Sequence, residues 1–187
     1  MLSALLLFLH NDYEERQAGL EAGRMLNEVR LAISEKTLAS EAESGTSEVP
    51  AELLSPEMPV IVVGGYAYIG YVSVPELNLE LPVMSEWDYN RLKIAPCRHF
   101  GSSRTDNLVI AAHNYDTHFG LLSELKSGAE ICFTDMEGIT NHYRLSRLET
   151  VAMDNVDAVL NSGFDLVLYT CTPDGARRIV AFCERVL

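Results

Sequence analysis

The sequence predicts a mainly β protein: a closed or nearly closed mixed β-barrel of seven or eight strands, with short helices and an N-terminal helix. Three observations carry that expectation. After Pro59 the chain becomes a series of short apolar segments rich in β-branched and aromatic residues. The helical stretches between them are brief, so strands do not alternate with long helices as a doubly wound sheet requires. And 187 residues, 48% hydrophobic and 22% charged, is an ordinary globular balance that buries a core without metal or disulfide staples.

The elements follow in chain order. Leu2 to Leu9 (LSALLLFL) is apolar, and Asn11, Asp12, Glu14 and Glu15 stop the run abruptly. It is far shorter than the about 20 residues that cross a bilayer, and it lacks the basic start and cleavage site of a signal peptide. Residues 1–10 are therefore expected to be the outer end of a membrane-spanning anchor that begins upstream; the alternative is a helix end docked on the domain. Residues 11–45 form the N-terminal helical region. Ala18, Ala22, Met25, Val29 and Ile33 recur at helical spacing beside Leu26, while Glu14, Glu21, Glu28 and Glu35 keep a separate acidic face. So narrow a stripe predicts a helix that leans on a domain and acts as a spacer, dispensable to the fold. Residues 46–59, rich in Ser, Glu and Pro, read as a linker, and residues 60–187 as the β-barrel domain. Its strands are expected at Ala67–Val74, Leu77–Leu81, Leu108–Ala112, Glu130–Thr134, His142–Val151, Leu166–Thr170 and Arg178–Phe182. Short helices fit at Glu86–Leu92, Gly120–Leu125 and Asp154–Leu160.

Charge narrows the function classes. With 14 Lys and Arg against 27 Asp and Glu, the formal net charge is −13. Such a chain has no clustered positive charge with which to replace the counterions of a nucleic acid, and its polar surface is repelled by anionic lipid. The four cysteines, Cys97, Cys132, Cys171 and Cys183, show neither CxxC nor zinc-finger spacing. Any disulfide among Cys97, Cys132 and Cys183 stays open. Glu130, Asp135 and Glu137 are the one set that resembles calcium ligands, and scattered acidic residues on so acidic a protein read as surface. No metal and no cofactor are expected.

The chemistry concentrates in two segments. In DLVLYTCTPDGARRIVAF (Asp165–Phe182) an apolar strand ends at Thr170 and Cys171, Pro173-Asp174-Gly175 supplies a turn, and Arg177 and Arg178 return on the next strand. A strand-end cysteine beside a guanidinium is half exposed and favoured as thiolate, the form that attacks carbonyls. In DNLVIAAHNYDTHFGLLSEL (Asp106–Leu125) a second apolar strand ends at His113 and a polar loop follows. Both groups sit where a rigid scaffold gives way to a loop, a placement suited to catalysis. His118 reads as an exposed loop histidine, and His99 and His142 have no partner suggested by spacing.

LVIAAHN around His113, LYTCTP around Cys171 and RRIV around Arg178, in that order, resemble the sortases, cysteine transpeptidases of Gram-positive bacterial surfaces. YIGYVSVPELNLELPV (Tyr68–Val83) and FGLLSELKSGAEICF (from Phe119) add to the likeness, which spans roughly Tyr66 to Val186. The resemblance implies Cys171 as the nucleophile that cleaves a C-terminal sorting signal and holds the acyl fragment as a thioester. It implies His113 as general acid and then base, and Arg178, favoured over Arg177, as the group that steadies the substrate carbonyl or the oxyanion. The implied partners are surface proteins or pilins bearing sorting signals, a peptidoglycan precursor or pilin amine as acceptor, and the membrane through the N-terminal anchor. The implied location is the cell membrane, with an extracellular catalytic domain. The long N-terminal helix and the stretch Met84–Ser103 look like class B. Thr170–Pro173 is closer to class C, but the Asp-Pro-aromatic lid motif of that class is missing from the sequence, so the resemblance implies an open groove and a class B-like member. The rival readings are another Cys/His acyl-transfer enzyme or peptidase of the cell envelope, and a non-catalytic β-barrel binding module.

Overall fold

The computed structural model describes residues 2–43, 55–155 and 157–186. The linker expected at 46–59 lies largely outside them. A long helix, α1 (Leu2–Glu43), is followed by β1 (Ile61–Val63), β2 (Tyr66–Val74), β3 (Leu79–Met84), β4 (Cys97–Phe100), β5 (Leu108–Ala111), β6 (Glu130–Asp135) and β7 (Thr140–Ala152). The short helix α2 (Asp157–Leu160) precedes β8 (Leu166–Cys171) and β9 (Arg177–Arg185). Single 3-10 turns occupy Pro75–Leu77, Arg91–Lys93 and Gly120–Glu124.

The strands hydrogen-bond in the order β2-β3-β4-β5-β8-β9-β7-β6, and β6 pairs back to β2, so eight strands close a barrel. β1 extends the edge of β2 that β6 uses further along. Two junctions, β3–β4 and β5–β8, are parallel, and the rest are antiparallel. Closure depends on Gly70. Its φ is +143°, and a Cβ there would stand 1.9 Å from the Thr134 carbonyl oxygen across the β2–β6 seam.

The expected mixed barrel is thus present, with two strands the sequence did not reveal. β1 is three residues long, and β4 (CRHF) carries too little β-branched character to read as a strand. The second expected strand begins two residues late, because Pro75–Leu77 makes a 3-10 turn closed by Asn78 in the left-handed region.

Period two along the strands sorts side chains to the two faces of the barrel wall. Leu108, Ile110, Leu166, Leu168, Ala181 and Cys183 point into the main core. Val109, Val167, Val180 and Phe182 point outward and are covered by Val159 of α2. A further cluster is made by α1. Met25, Val29 and Ile33 are buried against Val63, Tyr68 and Met84, and Ala22 joins the main core. The stripe foreseen along the helix is the face it buries. Its role as a dispensable spacer is corrected, because these side chains finish a core that β1–β3 leave open.

The N-terminal end also requires a correction. The run from Leu2 forms the first turns of the same helix that goes on through Asp12, Glu14, Glu15 and Arg16, where Arg16 pairs with Asp12 at 3.1 Å. No described helix is long and apolar enough to cross a membrane. The expected cell-membrane location through a single-pass anchor is corrected by that finding.

Candidate active site

Parallel pairing of β5 with β8 brings the two chemical segments together. Leu108 pairs with Leu166 and Ala111 with Tyr169, so extending the register two residues sets His113 level with Cys171. The Ala112 amide donates to the Tyr169 carbonyl (3.1 Å), and the Thr170 hydroxyl donates to the Ala112 carbonyl (3.0 Å), tying the two strand ends. On the other side of β8, Cys171 pairs directly with Arg178 of β9. His113, Cys171 and Arg178 therefore stand abreast on three neighbouring strands, on the outward face.

All three line one groove of about 380 Å³, walled by Trp87 and Tyr89 from the β3–β4 segment and by Tyr169. Cys171, His113 and Arg178 are each partly buried, which leaves them accessible yet held. Arg177 is exposed and lines a separate surface depression with Ser123, Thr150 and Ile179. Alternation forces that division, since residue 177 shares its side of the strand with Ile179, Ala181 and Cys183. One guanidinium nitrogen of Arg178, Nη1, donates to the carbonyls of Gly175 (3.2 Å) and Arg177 (3.0 Å), which fixes the side chain at the turn.

His113 is oriented by its loop. Its ring stacks on Tyr115 at 4.4 Å between centroids and 6° between planes, and its Nδ1 lies 3.3 Å from Asn114 Oδ1. With Nδ1–H donating to that oxygen, Nε2 is the nitrogen left for chemistry. The loop is pinned beneath α1. The Asp116 amide donates to Glu15 Oε1 (2.9 Å), and the Thr117 hydroxyl donates to the Glu15 carbonyl (3.3 Å). Gly120 permits the tight return, because a Cβ there would meet the backbone of Asn114 and Tyr115 at 2.7 Å.

His118 departs from expectation. It is fully buried beside Tyr115, both ring nitrogens lack a hydrogen-bond partner, and burial, with the neighbouring His113, pushes its pKa down to about 4. It serves as packing for the loop. His99, unpartnered by spacing, meets Tyr169: its Nδ1 lies 2.7 Å from the Tyr169 hydroxyl, and its ring lies 5.8 Å from Trp87. Burial lowers the His99 pKa and raises that of Tyr169, so a neutral phenol donates to a neutral imidazole. Tyr169 was legible in retrospect, since it stands two residues before Cys171 and shares its face. Trp87 and His99 reach the groove through loop and strand placement that no local pattern signals.

The other thiols differ from Cys171. All four cysteines are free, and burial raises the thiols of Cys97 and Cys183 to about 12, leaving them protonated and inert. The acidic set weighed for calcium is dispersed. Asp135 is buried, its Oδ2 pairs with Arg104 at 2.8 Å, and its Oδ1 accepts the amides of Glu137 and Ile139. Glu137 pairs with the same Arg104, and Glu130 turns instead toward His142.

A partly buried cysteine, flanked by a histidine and an arginine, thus stands on one face of a closed mixed barrel. The family model of the sortase domain matches residues 72–186, more than half of the chain. The chain belongs to the sortase family, whose members are cysteine transpeptidases. Among curated protein sequences none matches significantly. Solved structures with this fold include sortase C1 of GBS Pilus Island 1 (TM-score 0.63, 17% identity, covering 89% of this chain and 92% of that one). Sortase A from Corynebacterium diphtheriae superposes with a TM-score of 0.59 at 16% identity, covering 94% and 93%. Sortase C of Streptococcus pneumoniae, described with its pilin substrate specificity, superposes at 0.57 and 20% identity, covering 86% and 89%. At such identities the likeness is one of fold.

Proposed function

We propose that this sortase-family transpeptidase cleaves a C-terminal sorting signal of a surface protein or pilin and passes the acyl fragment to a cell-wall or pilin amine. The observation that supports the reading most is the row His113, Cys171, Arg178 along one groove. The Cys171 thiolate attacks the scissile carbonyl, and Arg178 stabilises the tetrahedral oxyanion by charge and by its fork of donors. His113, through Nε2, protonates the leaving amine as the thioester forms. The same nitrogen then takes a proton from the incoming amine as the new amide forms and the Cys171 thiolate leaves. Water in place of the amine gives peptide hydrolysis as a side reaction. The partly aromatic groove suits an extended peptide with apolar side chains, and sortase C of Streptococcus pneumoniae, with its pilin substrates, is the relative that makes a pilin a reasonable candidate.

The test uses peptides carrying candidate sorting signals from proteins encoded nearby. Incubation should yield an acyl-enzyme that hydroxylamine releases as a hydroxamate, and Cys171→Ala should form none. An acyl-enzyme that persists in Cys171→Ala would remove the proposed nucleophile. Peptide binding without cleavage by the wild-type chain, across the tested signals, would favour the binding-module reading.

A further inference from the structure

We infer that Glu130, Cys132 and His142 form a metal site on the outer face of the β6–β7 pair, suited to one Zn²⁺ or a similar borderline-soft divalent cation. Ile131, Phe133, Tyr143 and Leu145 of these strands point into the barrel core, so the alternate residues point out. Cys132 and His142 are directly opposed in the antiparallel register, and Glu130 lies two residues before Cys132 on the same face. None of the three lines the groove that holds Cys171.

The distances are those of ligands around one ion. Cys132 Sγ lies 3.3 Å from His142 Nδ1 and 3.7 Å from Glu130 Oε1, and Nδ1 lies 3.3 Å from Oε1. Bonds of about 2.0–2.3 Å to a tetrahedral zinc put its ligand atoms roughly 3.3–3.6 Å apart. Protons alone serve this triangle poorly. The thiol and the neutral imidazole bring at most one hydrogen each, which leaves one of the three edges without a bond. A single cation near the centre serves all three donors.

A catalytic relay is excluded by the same geometry. A Cys-His-carboxylate triad uses both ring nitrogens, one toward each partner, whereas here the thiol and the carboxylate converge on Nδ1. Metal binding breaks the S–H bond, releases that proton to solvent and leaves a thiolate on the ion. Thiolate and carboxylate then balance the two positive charges. Arg144 stands opposite Glu130 in the ladder, and Glu184 stands opposite Arg144. A ligand set of sulfur, imidazole and one carboxylate selects Zn²⁺ or Co²⁺ over Mg²⁺ or Ca²⁺. Three protein ligands leave a fourth position for water or a donor from a partner. The bound ion would cross-link β6 to β7.

The test titrates the full chain, free of metal and under reducing conditions, with Co²⁺ and then displaces it with Zn²⁺. One equivalent of Co²⁺ should give the thiolate-to-metal absorption and the intense visible bands of a tetrahedral sulfur site. Zn²⁺ should abolish both and raise the melting temperature. Cys171→Ala should keep the signal, which separates this site from the groove. Cys132→Ser should lose the sulfur absorption, and His142→Gln and Glu130→Gln should weaken binding by ~10-fold to 100-fold or more. All three positions are solvent-facing, and unchanged melting of the metal-free variants checks that they fold. Absence of a sulfur signature in the wild-type chain, or a signature lost with Cys171→Ala and kept in Cys132→Ser, would overturn the site. Magnesium competing as well as zinc would overturn its soft character.

Discussion

Arg177 and Arg178 are chemically identical neighbours, and only the strand's alternation separates them. Arg178 shares the outward face with Cys171, whereas Arg177 turns toward a different depression. We expect Arg178→Ala to lower peptide turnover by about 10²–10³, the cost of removing one oxyanion donor. Arg178→Lys should recover little of it, because charge without the guanidinium fork does not restore the geometry. Arg177→Ala should stay within a few-fold of wild type in the same assay, and the reverse pattern would shift the assignment by one residue. His118 gives a prediction about pH. Its folded pKa, near 4, lies below the ordinary value of 6.5, so between those values the unfolded chain binds a proton that the folded chain refuses. Stability from this group is complete above about pH 6.5 and falls as the pH drops toward 4, by on the order of 3 kcal/mol across the window. Denaturant melts from pH 7 to 4 should show that slope, and His118→Phe, if it folds, should flatten it.

Helix α1 does two things that a spacer would not. Its Met25, Val29 and Ile33 cover Tyr68 and Met84, and its Glu15 holds the loop that carries His113. Met25→Ala should destabilise the fold by about 2–5 kcal/mol, in the range of buried methionine truncations. A chain lacking residues 2–50 should melt at a markedly lower temperature than the full chain. It should also turn over peptide more slowly, because the His113 loop loses its clamp. Equal melting temperatures for the two chains would return the helix to the spacer role. The sequence revealed the buried stripe because 3.6-residue periodicity is local. It concealed the importance of the stripe, since the surface to be covered is assembled from β1, β2 and β3.

The barrel closes at a single seam, β2 against β6, and Gly70 is the residue that lets the backbones meet there. Gly70→Val should prevent a folded barrel from forming, read as loss of a cooperative thermal transition. The sequence by itself determined the mainly β class, most strand positions, the stripe of α1 and the order His, Cys, Arg, because each is written in short-range periodicity or in a motif of a few residues. It also singled out Cys171 and His113 as strand-end groups. Tertiary structure decided what depends on residues far apart in the chain. β5 and β8, separated by more than fifty residues, pair in parallel, and that register sets His113 beside Cys171. The burial of His118, the Tyr169–His99 contact and the Glu130–Cys132–His142 cluster likewise come from strand pairing and packing.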